Sequence, residues 1–167
     1  MIKSTFAQQH YPCRSNSKYP SNWTCVGPFN DSAQLPNQHF GIIHAISVNP
    51  NNEQEIYIGT GTAGLFHTSN QGKDWKCLTD SIPFPVIGIH DLVIDYSKNP
   101  HTIILATGST NTWYDNVSFG LVHSIDGGRS WQSHSKKEGV FMAPELFSIV
   151  VDSIHHCWYT HSKSSIY

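Results

Sequence analysis

The side chains best suited to binding a ligand occur together in one short stretch of the sequence. Trp113 and Tyr114 directly precede Asp115 and Asn116. A flat aromatic ring beside hydrogen-bonding groups suits a sugar or a peptide, because the ring packs against an apolar face while the polar groups bond hydroxyls or amides. These four residues and Phe84, which stands between two prolines, are the predicted ligand contacts. The alternative for Trp113 is that it packs over a neighbouring part of the fold.

An aspartate in a short turn is a candidate for acid–base chemistry. Asp126 lies within the run SIDGGRSW, and a related run, TSNQGKDW, occurs earlier in the chain. A catalytic carboxylate has no reason to recur in each repeat, whereas an Asp or Asn that accepts hydrogen bonds from its own turn does. The glycine supplies the positive φ of a tight turn, and the tryptophan packs beneath the loop. We therefore predict two structural turns, formed by Thr68, Asn70, Gly72 and Trp75 and by Ser124, Asp126, Gly128 and Trp131.

Eleven histidines and four cysteines are the potential metal ligands. The cysteines lack the paired spacing of zinc and redox motifs. His44 and His90 occupy equivalent positions of two repeats, and so do His67 and His123. We expect the members of each pair to be spread radially, so that they do not converge on one metal ion. The sequence thus predicts half-buried strand histidines, with no metal site and no cofactor.

The elements that position these residues repeat along the chain. The segment GLFHTSNQGKDW aligns without gaps with GLVHSIDGGRSW, and residues 42–61 match residues 88–108 with a one-residue indel. A third copy begins at LFSIVVD, residues 146–152. Each copy reads as short strands separated by turn residues, and no long stretch has the apolar spacing of a helix. Four strands repeated every 40–56 residues or so are typical of a β-propeller blade.

We therefore predict an all-β fold, a partial β-propeller of about two and a half four-stranded blades. Residues 1–21 form an irregular N-terminal segment, and residues 22–167 form the incomplete propeller. We predict that blade 1 spans about 41–80, blade 2 about 88–135 and a partial blade 3 about 145–167. Because a ring usually has at least about four blades, we expect a fragment whose remaining blades come from the same or another chain.

Composition and charge exclude two classes of partner. Ten Lys and Arg against twelve Asp and Glu give a net charge of −2, so the chain has no basic field for nucleic acid. No apolar run approaches the roughly 18 residues of a membrane span, and no signal peptide is readable at the N-terminus. Glycans and proteins remain as the expected ligands.

The turn at 124–131 resembles the Asp-box, S-x-D-x-G-x-[ST]-W, of bacterial neuraminidase (BNR) repeats, and the turn at 68–75 is a degenerate version. With W-x-x-V-G-P before blade 1 and I-Y-I-G-T leading to G-L-F, residues 22–167 resemble the Asp-box propellers of xyloglucanase-type glycoside hydrolases and the sortilin N-terminal domain. The resemblance implies a larger ring of about six to ten blades, in a secreted or cell-surface protein. It also implies that ligands bind on the face opposite the Asp-box turns.

The resemblance does not extend to the catalytic residues. Xyloglucanase-type enzymes carry a general-base Asp just after the second strand of the first blade, where this chain has Gly61. Blade 2 has Thr107 and Gly108 at that place, and glycine cannot activate water. The arginine triad of sialidases is also excluded, because the chain has only Arg14 and Arg129.

We accordingly predict a non-catalytic recognition module that binds glycans or proteins, as part of a larger secreted or cell-surface protein. Two alternatives remain open. One is a fragment of a xyloglucanase- or sialidase-like glycoside hydrolase whose catalytic residues lie outside this segment. The other is an intracellular assembly scaffold.

Overall fold

The computed structural model describes residues 42–80, 82, 87–108, 118–134, 145–152 and 157–162. Among helices and strands, only β-strands occur in these ranges, so the predicted all-β fold is confirmed. The strands are β1 (Ile43–Val48), β2 (Ile56–Thr60), β3 (Gly64–Thr68), β4 (Lys76–Cys77), β5 (Ile89–Asp95), β6 (Thr102–Thr107), β7 (Leu121–Ser124), β8 (Gln132–Ser133), β9 (Ser148–Asp152) and β10 (Cys157–His161). In this part of the chain no helix is long and apolar enough to cross a membrane.

The strands form three antiparallel sheets in chain order. The first sheet has the order β1-β2-β3-β4, the second β5-β6-β7-β8, and the third pairs β9 with β10. In the first repeat, the turn residues on either side predict strands at 64–68 and at 75–78. β3 has the first set of bounds, whereas β4 is shorter than the second. Leu78 nevertheless continues the pairing, because its N–H donates to the Leu65 carbonyl at 2.8 Å. The predicted blade boundaries themselves remain predictions.

The upper face of the molecule comprises the strand ends around Gly61, Gly88 and Gly108. The lower face comprises the turns at 49–55, 69–75, 96–101 and 125–131. The first strands of the three sheets, β1, β5 and β9, lie beside one another. The sheets therefore meet along their first strands, as blades do around the axis of a propeller.

Apolar side chains on alternating positions fill the spaces between sheets. One face of β5 and β6 packs against the first sheet through Leu92, Ile94, Ile103 and Leu105. The opposite face packs on the third sheet through Val93, Ile104 and Ala106. Because successive strand residues point to opposite sides, the middle sheet is apolar on both faces. Fully burying each Ile or Leu contributes about 1.5–3 kcal/mol, so these two layers hold the sheets together.

Both β1 and β5 contain an irregularity near the upper face. In β1, Ile43 pairs with Thr60 and Ala45 with Gly59, which leaves His44 as an extra residue. In β5, Ile89 and Asp91 pair with Thr107 and Ala106, which leaves His90 as the extra residue. A β-bulge redirects the side chain of the extra residue and is frequent next to functional sites. The two histidines therefore leave the regular alternation of their strands.

Candidate functional site

The predicted ligand contacts cannot be placed. Trp113, Tyr114, Asp115, Asn116 and Phe84 all lie outside the described residues, and their role stays a prediction.

The second predicted turn is closed by a network around Asp126. Its Oδ1 accepts hydrogen bonds from the N–H groups of Arg129 and Ser130, each at 2.9 Å. The Ser130 hydroxyl donates to Oδ2 at 2.6 Å, and the Ser124 hydroxyl donates to Oδ1 at 2.8 Å. These bonds, that of the Ser130 hydroxyl first, hold the pKa of Asp126 well below its usual value. Ser124 also accepts from the N–H of Gly128 at 2.8 Å, where φ is +84°.

The first turn has the same design with an amide in place of the carboxylate. Thr68 donates to the Asn70 Oδ1 at 2.9 Å and accepts from the N–H of Gly72 at 3.0 Å. Asn70 Oδ1 also accepts from the N–H of Asp74 at 2.9 Å, and its amide donates to the Asp74 carboxylate at 2.8 Å. Gly72 has the positive φ, +79°, that a tight turn favours. The turn residues thus bond one another, and this arrangement stabilises hairpins.

Trp131 packs against the core and also forms a bond beyond its own loop. Its indole N–H donates to the carbonyl of Leu78 at 3.2 Å, in the preceding sheet. Gly128 also lies against that sheet, since a methyl group added there would come within 2.9 Å of Leu78 Cδ1. The sequence pattern predicts the turn, but it does not predict that Leu78 is the partner of Trp131, because this bond depends on how the two sheets pack. This turn therefore joins two sheets as well as two strands.

A second polar network on the lower face also joins sheets. Glu55 Oε1 accepts from the Tyr57 hydroxyl at 3.0 Å and from His67 Nε2 at 3.1 Å. Oε2 accepts from Asn49 Nδ2 at 2.6 Å and from His101 Nε2, beyond β5, at 3.1 Å. Burial raises the pKa of Glu55, but these four bonds outweigh it and lower the pKa overall. Burial also lowers the pKa of His67, so its imidazole donates mainly as a neutral group.

The two inner histidines overturn one expectation from the sequence. His44 and His90 were expected to be spread radially, but their ring centroids lie 5.3 Å apart. Phe147 continues the contact, with its ring centroid 4.9 Å from that of His90. The expectation was wrong because the first strands β1, β5 and β9 lie side by side, so equivalent residues on them become neighbours. We call His44, His90 and Phe147 the inner arc.

One signal in the sequence could have identified the third member of the inner arc. Aligning HDLVID, residues 90–95, with FSIVVD, residues 147–152, places Phe147 opposite His90. Each of the three repeats therefore supplies one ring at the same position. The bulges at His44 and His90, however, depend on strand pairing and have no sequence signal of their own.

Beside the inner arc, two polar atoms are shielded from solvent. His90 Nε2 and Glu145 Oε1 are buried and have no hydrogen-bond partner among the described residues. Both side chains lie over Gly108, because a methyl group there would come within 2.7 Å of His90 Nε2 and 3.3 Å of Glu145 Cβ. Burial and the nearby His44 lower the pKa of His90, while Glu145 opposes this shift. We call Gly108, His90 and Glu145 the Gly108 cradle.

Backbone hydrogen bonds hold the strand ends at the upper face. Gly61, at the position that the sequence resemblance equates with the general base of xyloglucanase-type enzymes, donates its N–H to the Ile42 carbonyl at 2.9 Å. Gly108 donates to the Gly88 carbonyl at 3.0 Å. Asp91 accepts from the N–H groups of Leu92 and Ile149 at 2.9 and 2.8 Å. Asp91 is thus engaged by the backbone.

Two further described histidines lie together on the outer part of the second sheet. His123 Nδ1 and His134 Nε2 lie 2.9 Å apart on the outer part of the second sheet. Their rings stack at 4.5 Å, and Trp158 of the third sheet lies 6.2 Å from His123. Within the described ranges, no group of three or more His, Cys, Asp or Glu side chains is placed to hold a metal ion.

The fold is that of a segment of a β-propeller. A GH74 enzyme of Niastella koreensis superimposes with a TM-score of 0.51 and 21% identity, over 70% of this chain and 17% of that one. An ancestral GH74 enzyme superimposes with a TM-score of 0.56 and 22% identity, over 78% of this chain and 17% of that one. No family model and no curated protein matches the sequence. The chain thus spans about a sixth of the length of these propeller enzymes, and at such identities the likeness concerns the fold.

Proposed function

We propose that this chain is a glycan-recognition segment of a β-propeller protein, which binds a sugar at the inner arc without supplying a catalytic pair. The observation that carries the proposal is that three successive repeats each place one ring at the upper face. The ring of His90 lies between the other two and contacts both that of His44 and that of Phe147. Rings in such a row suit the apolar face of a sugar chain, and the adjacent polar atoms suit its hydroxyl groups.

A non-catalytic role is supported by the small number of carboxylates among the described residues near the inner arc. Hydrolysis of a glycosidic bond usually needs two carboxyl groups flanking the bond. Glu145 has a carboxylate oxygen without a partner, whereas Asp91 is held by two backbone N–H groups. Gly61 offers no side chain at the position of the general base in xyloglucanase-type enzymes. One carboxylate is suited to binding a hydroxyl group but does not make the usual pair.

A fragment of a glycoside hydrolase is the second candidate. The two solved structures named above are GH74 enzymes, and this chain covers only 17% of each. A second carboxyl group could therefore come from a part of the ring beyond this segment. In that case the inner arc would bind the substrate at some distance from the reacting bond.

Further blades are part of the same proposal. Ile46 and Val48 on the first sheet are 63% and 48% exposed, and Val150 and Tyr159 on the third are 61% and 47% exposed. Propeller blades bury both faces against neighbours, so we propose that blades of the same or another chain cover these positions. The closed turns around Asp126 and Asn70 support assigning them to the Asp-box of BNR repeats. A secreted or cell-surface location would follow from that resemblance.

Titration calorimetry with cellohexaose and a xyloglucan heptasaccharide tests this function. We expect the wild-type chain to bind at least one of these neutral glycans. His44→Ala and Phe147→Ala should each weaken binding at least about fivefold, because each removes a stacking ring worth about 1 kcal/mol or more. His134→Ala is the control, since it removes an exposed histidine from the outer part of the second sheet. Binding that is absent, or unchanged by both inner-arc variants, would contradict the proposal.

A further inference from the structure

His123 and His134 bring two ring nitrogens together on the outer part of the second sheet, and we call these two residues the outer pair. His123 Nδ1 lies 2.9 Å from His134 Nε2, and the ring centroids are 4.5 Å apart. His67 and His101, in contrast, each direct a ring nitrogen at Glu55. Among the described residues, the outer pair is the place where the nitrogens of two imidazoles meet.

Strand pairing fixes the positions of both rings. His123 on β7 pairs with Gln132 on β8. His134 stands two residues beyond Gln132 and therefore lies on the same side of the sheet. Its N–H continues the ladder, because it donates to the Leu121 carbonyl at 2.8 Å. Diagonal neighbours on one side of a sheet are within reach of long side chains, so the backbone holds the two imidazoles together without a ligand.

The outer pair is open to solvent. His134 is exposed and His123 is partly exposed. In the described part of the chain, neither ring forms an ion pair with a carboxylate, unlike His67 and His101. A hydrated ion can therefore approach the pair from water without displacing a charged partner.

The distance between the two nitrogens suits a transition metal. An imidazole nitrogen binds such an ion at about 2.0–2.1 Å, so two of them at right angles around the ion lie about 2.9 Å apart, and two in a tetrahedral arrangement about 3.3–3.4 Å apart. The 2.9 Å between His123 Nδ1 and His134 Nε2 matches the right-angled arrangement. Square-planar or tetragonal coordination by nitrogen and oxygen is typical of Cu²⁺ and Ni²⁺.

A hydrogen bond occupies the same place in the chain without metal. Two neutral imidazoles at this distance share one proton, which one ring donates and the other accepts. The donating ring can carry that proton on its other nitrogen instead. Both facing nitrogens then have a lone pair, and the ion takes the place of the shared proton. Binding thus requires a change of tautomer and no net loss of a proton.

Trp158 of the third sheet stands beside the outer pair. Its ring centroid lies 6.2 Å from that of His123 and 6.3 Å from that of His134. The indole has no lone pair to offer a metal, but an apolar neighbour limits the access of solvent to a metal site. Because Cu²⁺ quenches indole fluorescence at short range, Trp158 also provides an optical signal for binding.

From these observations we infer that the outer pair is a Cu²⁺ site, in which His123 Nδ1 and His134 Nε2 occupy adjacent positions and water completes the coordination. The general order of affinities for nitrogen ligands also places Cu²⁺ above Ni²⁺ and Zn²⁺. The two histidines stand eleven positions apart in the sequence. No short motif predicts the site, because it depends on the pairing of β7 with β8. The inference is independent of the proposed glycan binding.

Titration of the full chain with Cu²⁺ at neutral pH, followed by tryptophan fluorescence, tests the site. Wild type should show saturable quenching, and the part of it that Trp158→Phe removes reports on the outer pair. His123→Ala and His134→Ala should each weaken Cu²⁺ binding at least about tenfold, because the remaining imidazole loses its intramolecular second ligand. His161→Ala is the control, since it removes an exposed histidine from the neighbouring β10 and should leave the affinity unchanged.

Pulsed electron paramagnetic resonance gives a second measurement, which counts the imidazoles bound to Cu²⁺. We expect two in wild type at one equivalent of Cu²⁺, and one in either variant of the outer pair. His134 is exposed, so His134→Ala keeps the test decisive if His123→Ala fails to fold. Zn²⁺, which favours tetrahedral coordination, should bind wild type more weakly than Cu²⁺.

The inference is overturned if Trp158→Phe leaves the quenching unchanged, if both variants of the outer pair keep the wild-type affinity, or if wild type binds Cu²⁺ through fewer than two imidazoles. Binding of Zn²⁺ as tight as that of Cu²⁺ would also overturn it, because the right-angled arrangement would then have no role. Loss of affinity in both variants, with binding kept in His161→Ala, supports the site.

Discussion

The upper and lower faces of this propeller segment use the same polar residue types in opposite ways. On the lower face, Asp126 accepts four hydrogen bonds from its own turn. Glu55 also accepts four, three from the first sheet and one from His101 of the second. On the upper face, Glu145 and His90 each keep a buried atom without a described partner. Bonded polar groups stabilise the fold, whereas buried groups without a bond lower its stability. The contrast assigns stabilising networks to the lower face, and recognition at the upper face is our proposal.

The largest effect on stability is expected from Glu55→Ala. This change leaves four donors without their acceptor, three in the first sheet and one, His101, in the second. It should lower the free energy of unfolding by about 2–3 kcal/mol. Glu145→Ala is the matched variant on the upper face and should leave stability unchanged or raise it, because this carboxylate has a buried oxygen without a bond. Urea unfolding followed by tryptophan fluorescence measures both. Equal losses in the two variants would abolish the distinction between the faces.

A smaller effect is expected from Asp126→Asn, because the carboxylate is exposed to solvent. Its pKa is lowered in the folded chain, so it stabilises the fold above the unfolded value of about 3.9. That contribution is lost as the pH falls towards the lowered pKa. Thermal unfolding is measured between about pH 2 and pH 5, a range that includes the unfolded pKa of about 3.9. The melting temperature should depend less on pH in Asp126→Asn than in wild type. Glu53→Gln should keep the wild-type slope over that range, and identical profiles for wild type and Asp126→Asn would rule out a stabilising role for the carboxylate.

The smallest effect is expected from Trp131→Phe, which keeps a ring but removes the indole N–H. The bond to the Leu78 carbonyl joins two sheets, and its loss should cost about 0.5–1.5 kcal/mol. Trp158→Phe is a suitable control, because this indole is 39% exposed at the edge of the third sheet. Urea unfolding monitored by circular dichroism compares the two. A loss no greater than that of Trp158→Phe would show that the bond between sheets contributes little.

Most of the lower face could be predicted from the sequence, but little of the upper face. β3 at Gly64–Thr68 and the turn around Asp126 follow from local signals, namely strand alternation, a turn glycine and a side chain that caps its own backbone. The contact of His44 with His90 is not local, because it requires that β1 and β5 lie side by side and that each strand has a bulge. The predicted ligand contact of Trp113 remains a sequence prediction, because this residue lies outside the described ranges.

The contrast between the faces is tested most directly by nitrogen-15 NMR of the histidine side chains during a cellohexaose titration. Ligand binding at the upper face predicts that the imidazole resonances of His90 and His44 shift with ligand concentration. The resonances of His67 and His101, whose Nε2 atoms are bonded to Glu55, should stay unchanged. Shifts confined to His67 and His101, or no shift of His90 at saturation, would contradict the assignment of recognition to the upper face.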